Sequence, residues 1–256
     1  MRAGRPLKRW RWVGAFGPDL MLCAGEARIG PLPQRWWAIA EPDGRLLERT
    51  SMGSAGLALA GDAIRVESRS ARIDIRFEAD PGCEAVEVVS PGGSGDGWAW
   101  TRKVAGLPAR GTVELGGRRR SVALSAVIDD SAGYHARHTA WRWTVGVGRA
   151  ESGERVAWNL VDGIHDAATA SERTVWIDGA AVEVGAARFA SDLSRVEVEG
   201  GGALEFTEWA AREHRANLLV VRSTYRQPFG TFAGELPGGL RLAEGYGVME
   251  KHDVRW

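Results

Sequence analysis

In the stretch Arg72-Ile-Asp-Ile-Arg-Phe-Glu78 every second residue is apolar, so Ile73, Ile75 and Phe77 fall on one side and Arg72, Asp74, Arg76 and Glu78 on the other. A period of two is the mark of a strand with one face in a core and one in water. It recurs along the chain. Val122, Leu124, Ala126 and Ile128 alternate with Ala123, Ser125 and Val127; Val156, Trp158 and Leu160 with Arg155 and Asn159; Val196 and Val198 with Glu197 and Glu199. Turn sequences separate these runs at short intervals: Pro42-Asp-Gly44, Asp80-Pro-Gly82, Gly116-Gly117, Asp178-Gly179, Gly200-Gly-Gly202 and Pro237-Gly-Gly239. This is the rhythm of antiparallel hairpins, not of alternating strand and helix. Glycine, at 34 of 256 residues, is nearly twice its usual share of about 7%. The expected class is all-β with very little helix, 207–216 being the one helix candidate.

Lys plus Arg and Asp plus Glu are equal at 33 each, so no net field draws the chain to nucleic acid or anionic lipid. The basic run Arg118-Arg-Arg120 sits beside a two-glycine turn and reads as a solvated hairpin. Cys23 and Cys83 lack any C-x-x-C spacing, which excludes a zinc knuckle or a dithiol redox motif and fits free thiols in a reducing compartment. A basic N-terminus followed by the apolar run 13–24 resembles a signal peptide, but Pro18 and Asp19 interrupt it. No segment reaches the roughly 18 apolar residues of a membrane span. The expected location is cytoplasmic. The glycine-rich stretch 90–97 lacks the Lys-Ser/Thr ending and following helix of a phosphate loop.

Twelve tryptophans are present, six of them as Trp-x-Trp: Trp10 with Trp12, Trp98 with Trp100, and Trp141 with Trp143. On a strand each pair puts two indoles on one face. Such faces either fill a barrel or line an apolar ligand cavity within it, and the cavity is the expectation. The aspartate pair Asp129-Asp130 divides the chain into halves of similar strand content, about 1–125 and 126–256, each long enough for a barrel.

The segment from Asp129 to Trp143 gathers carboxylate, phenol, imidazole and guanidinium. Ser131-Ala-Gly133 lacks the leading Gly and the helix of a nucleophile elbow. His135 and His138, three apart on a strand, face opposite ways, so no metal site is expected. General acid or base work by a carboxyl group remains. If Asp130 continues the face of Ile128 and Ala126, burial raises its pKa; alternatively the aspartate pair is an exposed turn cap. Asn159, Glu172 and Glu250 are further polar residues in apolar surroundings, either functional or satisfied by structural hydrogen bonds.

Taken together, Lys8-Arg-Trp-Arg-Trp12, Asp130-Ser-Ala-Gly-Tyr134 with Arg137, Thr139, Trp141 and Trp143, Asn159-Leu160 with Gly163, Glu172, Trp176-Ile-Asp-Gly179, Phe229-Gly-Thr-Phe-Ala-Gly234 and Gly245-Tyr-Gly-Val-Met-Glu250 with Trp256 resemble a bacterial family of unknown function, over nearly the whole chain. More distantly, Asp129-Asp-Ser-Ala-Gly133 is similar to the Asp-His-Ser-Trp-Gly motif of hydroxyneurosporene synthase-like and AttH-like proteins, departing at Asp130 and Ala132. That resemblance implies two consecutive antiparallel lipocalin-like β-barrels, the first incomplete or open because the chain begins close to its Lys-Arg-Trp segment. It also implies a hydrophobic small-molecule partner (isoprenoid, polyene or lipid-like) handled without metal or organic cofactor. Under this reading the protein is a hydratase, cyclase or isomerase. Asp130 or Glu250 donates a proton, Tyr134 relays or positions it, Trp141 and Trp143 stabilise positive charge, and Arg137, Asn159 and Glu172 help hold substrate. The alternative is a carrier or sensor that binds an apolar molecule without changing it.

Overall fold

The computed structural model describes residues 5–91, 97–217 and 222–255. Most of the loop 90–97 and the terminal Trp256 noted above lie outside these residues. The first sheet is built from β1 (Lys8–Phe16), β2 (Met21–Ile29), β3 (Leu32–Ala40), β4 (Leu46–Ser51), β5 (Leu57–Leu59), β6 (Ala63–Glu67), β7 (Ala71–Phe77), β8 (Val86–Pro91), β9 (Trp98–Leu115) and β10 (Arg118–Gly133). The second is built from β11 (His138–Ala150), β12 (Arg155–Asp162), β13 (Thr174–Ile177), β14 (Ala180–Glu183), β15 (Ala187–Phe189), β16 (Arg195–Val198), β17 (Ala203–Asn217), β18 (Arg222–Leu236) and β19 (Leu240–Arg255). Their orders are β4-β3-β2-β1-β10-β9-β7-β6-β5, with β8 also on β9, and β14-β13-β12-β11-β19-β18-β17-β16-β15. All pairings are antiparallel. No helix long and apolar enough to cross a membrane occurs among the described residues.

The all-β expectation holds, and β7 shows why: Ile73, Ile75 and Phe77 are buried while Arg72, Asp74 and Arg76 are exposed. The helix candidate 207–216 is instead part of β17. Its Ala, Glu and Arg residues favour helix weakly, and pairing with β18 along nearly its whole length overrides that preference. A bulge at Trp209 breaks the alternation there, which hides the strand from a period-two reading. Asp129 and Asp130 do not form a turn; both lie within β10. The chain changes sheets at 134–137, so a division at 125 and 126 would cut β10.

Each sheet curls around its own core. In the first, Trp37 is fully buried among Val13, Leu22, Ile64, Ile75 and Ile128, its indole donating to the Ala55 carbonyl at 3.0 Å. In the second, Trp158 is fully buried edge-on to Phe232 at 4.9 Å. Trp37 and Trp158, neither of them in a Trp-x-Trp pair, pack these interiors. A third apolar cluster lies between the sheets and joins Trp12, Phe16, Cys23 and Val127 of the first to Trp143, Val145, Trp176 and Phe229 of the second. The seam also carries polar ties. Arg212 of β17 pairs with Glu48 of β4 at 2.8 Å, and Trp176 donates to the Glu84 carbonyl at 2.8 Å.

Candidate functional site

The strands facing the seam are covered on both sides, one face by their own core and one by the opposite sheet. On the first sheet the register sets three rows across β1, β10 and β9: Lys8, Gly133 and Ala99; Trp10, Ser131 and Thr101; Trp12, Asp129 and Lys103. The second sheet answers with Trp141, Trp143 and Glu250, the last two being direct partners across β11 and β19. Asn159 comes from β12, and the loop 163–173 adds His165 and Glu172. Trp12 and Trp143 meet edge to face with ring centroids 5.0 Å apart, so one member of each of two Trp-x-Trp pairs crosses the seam to the other.

The polar groups around this aromatic pair are almost wholly buried. Lys103 lies 2.6 Å from Asp129 and 3.4 Å from Glu172, and its ammonium sits 5.5 Å from the centre of the Trp143 ring. Burial opposes the Lys103 charge, but the two carboxyl groups outweigh it and its pKa rises above the ordinary lysine value. One cation cannot neutralise two buried carboxylates. Burial accordingly raises the pKa of Asp129, Lys103 opposing and Glu172 reinforcing the rise. Glu250 accepts hydrogen bonds from Trp141 Nε1 at 2.8 Å and from Gln227 Nε2 at 2.8 Å. Burial nevertheless pushes its pKa up to about 7, against those hydrogen bonds and with help from the Asp129 charge.

A second group of titratable side chains adjoins the first. His135 stacks on Trp10 at 4.9 Å and meets His165 edge-on at 5.9 Å. Burial lowers the His135 pKa to about 3, with His165 and Lys8 adding to the fall, and burial lowers that of His165 as well. His165 Nδ1 shares a 2.7 Å hydrogen bond with Ser90 of β8. Lys8 is brought down to about 7 by burial and by Arg5.

Of the residues singled out from sequence, Trp141, Trp143, Asn159, Glu172 and Glu250 come together here. Asn159 accepts from Trp143 Nε1 at 2.7 Å and donates to the Glu172 carbonyl at 2.8 Å, thereby fixing both. Asp130 is not brought to the seam. It shares the face of Ile128, which turns to the first sheet's own core, and Arg11 binds both of its carboxylate oxygens at 2.9 Å. Tyr134 lies edge-on to Trp98 at 5.7 Å, and Arg137 is exposed in the connector. Sequence reasoning missed Lys103, Thr101, Gln227 and His165, and treated Asp129 and His135 only as a turn residue and a rejected metal ligand. His138, the other imidazole weighed for metal, is exposed and pairs with Asp253 at 3.0 Å.

The arrangement can hold a proton on Glu250 near neutrality, keep a second carboxyl group beside a cation, and set an indole face against positive charge, as Trp143 does for Lys103. The fold is shared with solved structures. An AttH-like protein (NE1406) of Nitrosomonas europaea superposes with a TM-score of 0.65 at 13% identity, over 98% of this chain and 93% of that one. Kievitone hydratase of Nectria haematococca does so with 0.61 at 11% identity, over 97% and 88%, and CghA with 0.52 at 13% identity, over 98% and 88%. These likenesses show the two-domain lipocalin-like fold. No curated protein matches the sequence. Residues 47–256 match the model of a domain of unknown function, DUF2804, and with most of its length so matched the chain belongs to the DUF2804 family.

Proposed function

We propose that the protein binds a hydrophobic small molecule at the seam between its sheets and transforms it by acid and base chemistry of its own side chains, as a hydratase, cyclase or isomerase. The observation that carries this reading is Glu250: a buried carboxyl group, anchored by Trp141 and Gln227 and raised to about 7, which is the condition of an acid poised to give up its proton at neutral pH. In a hydration, Glu250 gives its proton to one carbon of a double bond. An open indole face of the Trp12–Trp143 pair stabilises the cation left on the other carbon. Water adds there and passes its surplus proton to the Asp129 carboxylate, from which it returns to Glu250. In an isomerisation or cyclisation the cation is quenched by loss of a carbon-bound proton instead. Kievitone hydratase, which shares the fold, is by name a catalyst of water addition, and this supports the first of these reactions. Asp130, the acid first considered, takes no part because Arg11 holds it at the other face. The free thiols of Cys23 and Cys83 fit action in the cytoplasm.

The test is to incubate wild type and Glu250→Gln with a bacterial lipid extract and follow bound and released material by mass spectrometry. Wild type should return altered product, and the variant should retain the same ligand unaltered. Turnover surviving in Glu250→Gln removes the assigned acid. Ligand that leaves wild type unchanged makes the protein a carrier.

A further inference from the structure

Among the described residues nine buried side-chain polar atoms have no hydrogen-bond partner, and five of them belong to residues of the site built above: Trp12 Nε1, Thr101 Oγ1, His135 Nε2, His165 Nε2 and Glu172 Oε2. These five residues are all at least nine-tenths buried. They are not scattered. Thr101 stands two residues from Lys103 on the same face of β9, and Lys103 contacts Glu172. Trp12 is the register partner of Asp129, which Lys103 also binds. His165 is tied to Ser90, which pairs with Ala99 at the small-residue end of the same face. At that end, a Cβ on Gly133 would stand only 2.7 Å from the Ala99 Cα, so no larger side chain fits there. His135 and His165 lie in edge contact. Buried polar atoms in folded proteins are nearly always paired, because leaving one unpaired costs the whole of its desolvation. Unpaired donors and an acceptor on residues linked in this way fit a site whose partners arrive with a ligand.

We propose that these unpaired groups receive an uncharged oxygen function of the substrate, a hydroxyl or carbonyl group, so that the molecule handled at Glu250 is an oxygenated apolar compound and not a pure hydrocarbon. The inference rests on the catalytic reading above and narrows its substrate class. Trp12 can only donate and Glu172 can only accept when ionised, while the threonine hydroxyl does either. A hydroxyl group, donor and acceptor at once, suits each of them. Charged groups fit poorly. An anion would face Asp129 and Glu172, both already drawn to Lys103; a cation would face Lys103, whose charge those carboxylates stabilise; and burial keeps His135 neutral, so it supplies no counter-charge.

The experiment compares matched probes on the full chain, naphthalene with 2-naphthol and farnesene with farnesol, by tryptophan fluorescence and calorimetry. The oxygenated member should bind about tenfold more tightly, the effect of one good hydrogen bond. Thr101→Val, which keeps the shape and deletes the unpartnered hydroxyl, should cut that preference to threefold or less. It should leave naphthalene affinity unchanged and give a urea midpoint equal to or above that of wild type. A threonine with a structural role would instead lose stability. His135→Phe, which retains the stacking on Trp10, should cut the preference in the same way. Glu250→Gln should keep the preference while losing turnover, which separates failure of the unpaired groups from failure of the acid. Equal affinity for both members of each pair, or binding of neither, overturns the proposal.

Discussion

Replacing Glu250 by Gln tests the raised carboxyl without any knowledge of substrate. The ordinary glutamate value is 4.5 and the folded value about 7. Between these two the unfolded chain has released the proton that the folded protein still holds, so stability falls as pH rises. The loss begins near pH 4.5 and levels off above about pH 7. At about 1.4 kcal/mol per pKa unit it reaches about 3 kcal/mol, of which about 2.5 kcal/mol falls between pH 5 and 8.5. Glutamine is neutral throughout and nearly the same size. It still accepts from Trp141, while Gln227 must turn its amide and give up its contact with the Cys23 thiol. That adjustment is the same at every pH. The buried histidines titrate in both proteins and cancel in the difference. The quantity to measure is therefore the unfolding free energy of Glu250→Gln minus that of wild type, from urea titrations at pH 5, 6, 7 and 8.5. It should rise by about 2.5 kcal/mol across this series, with half the rise complete by about pH 6. A difference that stays flat within 0.5 kcal/mol, a threshold of about the usual departure from additivity, would refute the argument that burial keeps this group protonated.

His135→Phe should act with the opposite slope. The folded His135 refuses a proton until about pH 3, so wild type loses stability as pH falls below 6.5, and the variant should be spared about 2 kcal/mol of the loss between pH 6.5 and 4.5; identical acid transitions in urea would exclude it. Lys103→Met strands Asp129 and Glu172 without their cation and should cost about 3–5 kcal/mol at pH 8. Adding Asp129→Leu should recover most of that loss in the same urea assay, and a single variant as stable as wild type would show that Lys103 carries no such burden.

Alternation reveals a strand only when its two faces meet different surroundings. β7 has water on one side, so Ile73, Ile75 and Phe77 declare its inward face and Arg72, Asp74 and Arg76 its outward one. β10 begins in the same way at Val122 and Leu124, but from Ala126 to Ile128 every residue is buried, because the second sheet now covers the face that had been open. That unbroken apolar run marks a doubly covered strand, and it places the seam. Once both faces are buried, parity still says that Asp129 and Asp130 point opposite ways, but it no longer says which of them meets the second sheet. The same ambiguity attends the indoles: Trp37 and Trp158 turn into the cores, whereas Trp12 and Trp143 turn to each other. Glu250 and Asn159 were visible because a lone polar residue in an apolar strand needs a partner whichever way it faces. Lys103 was not, since Arg102 beside it makes the pair look like an ordinary charged turn of surface. The side chain that stays half-exposed and the one that sinks between the sheets are separated only by the register of β9 on β10, which sets Lys103 against Asp129 and leaves Arg102 opposite Asp130. Register is decided by hydrogen bonds between distant parts of the chain, and so the acid site became legible only when both sheets were in place.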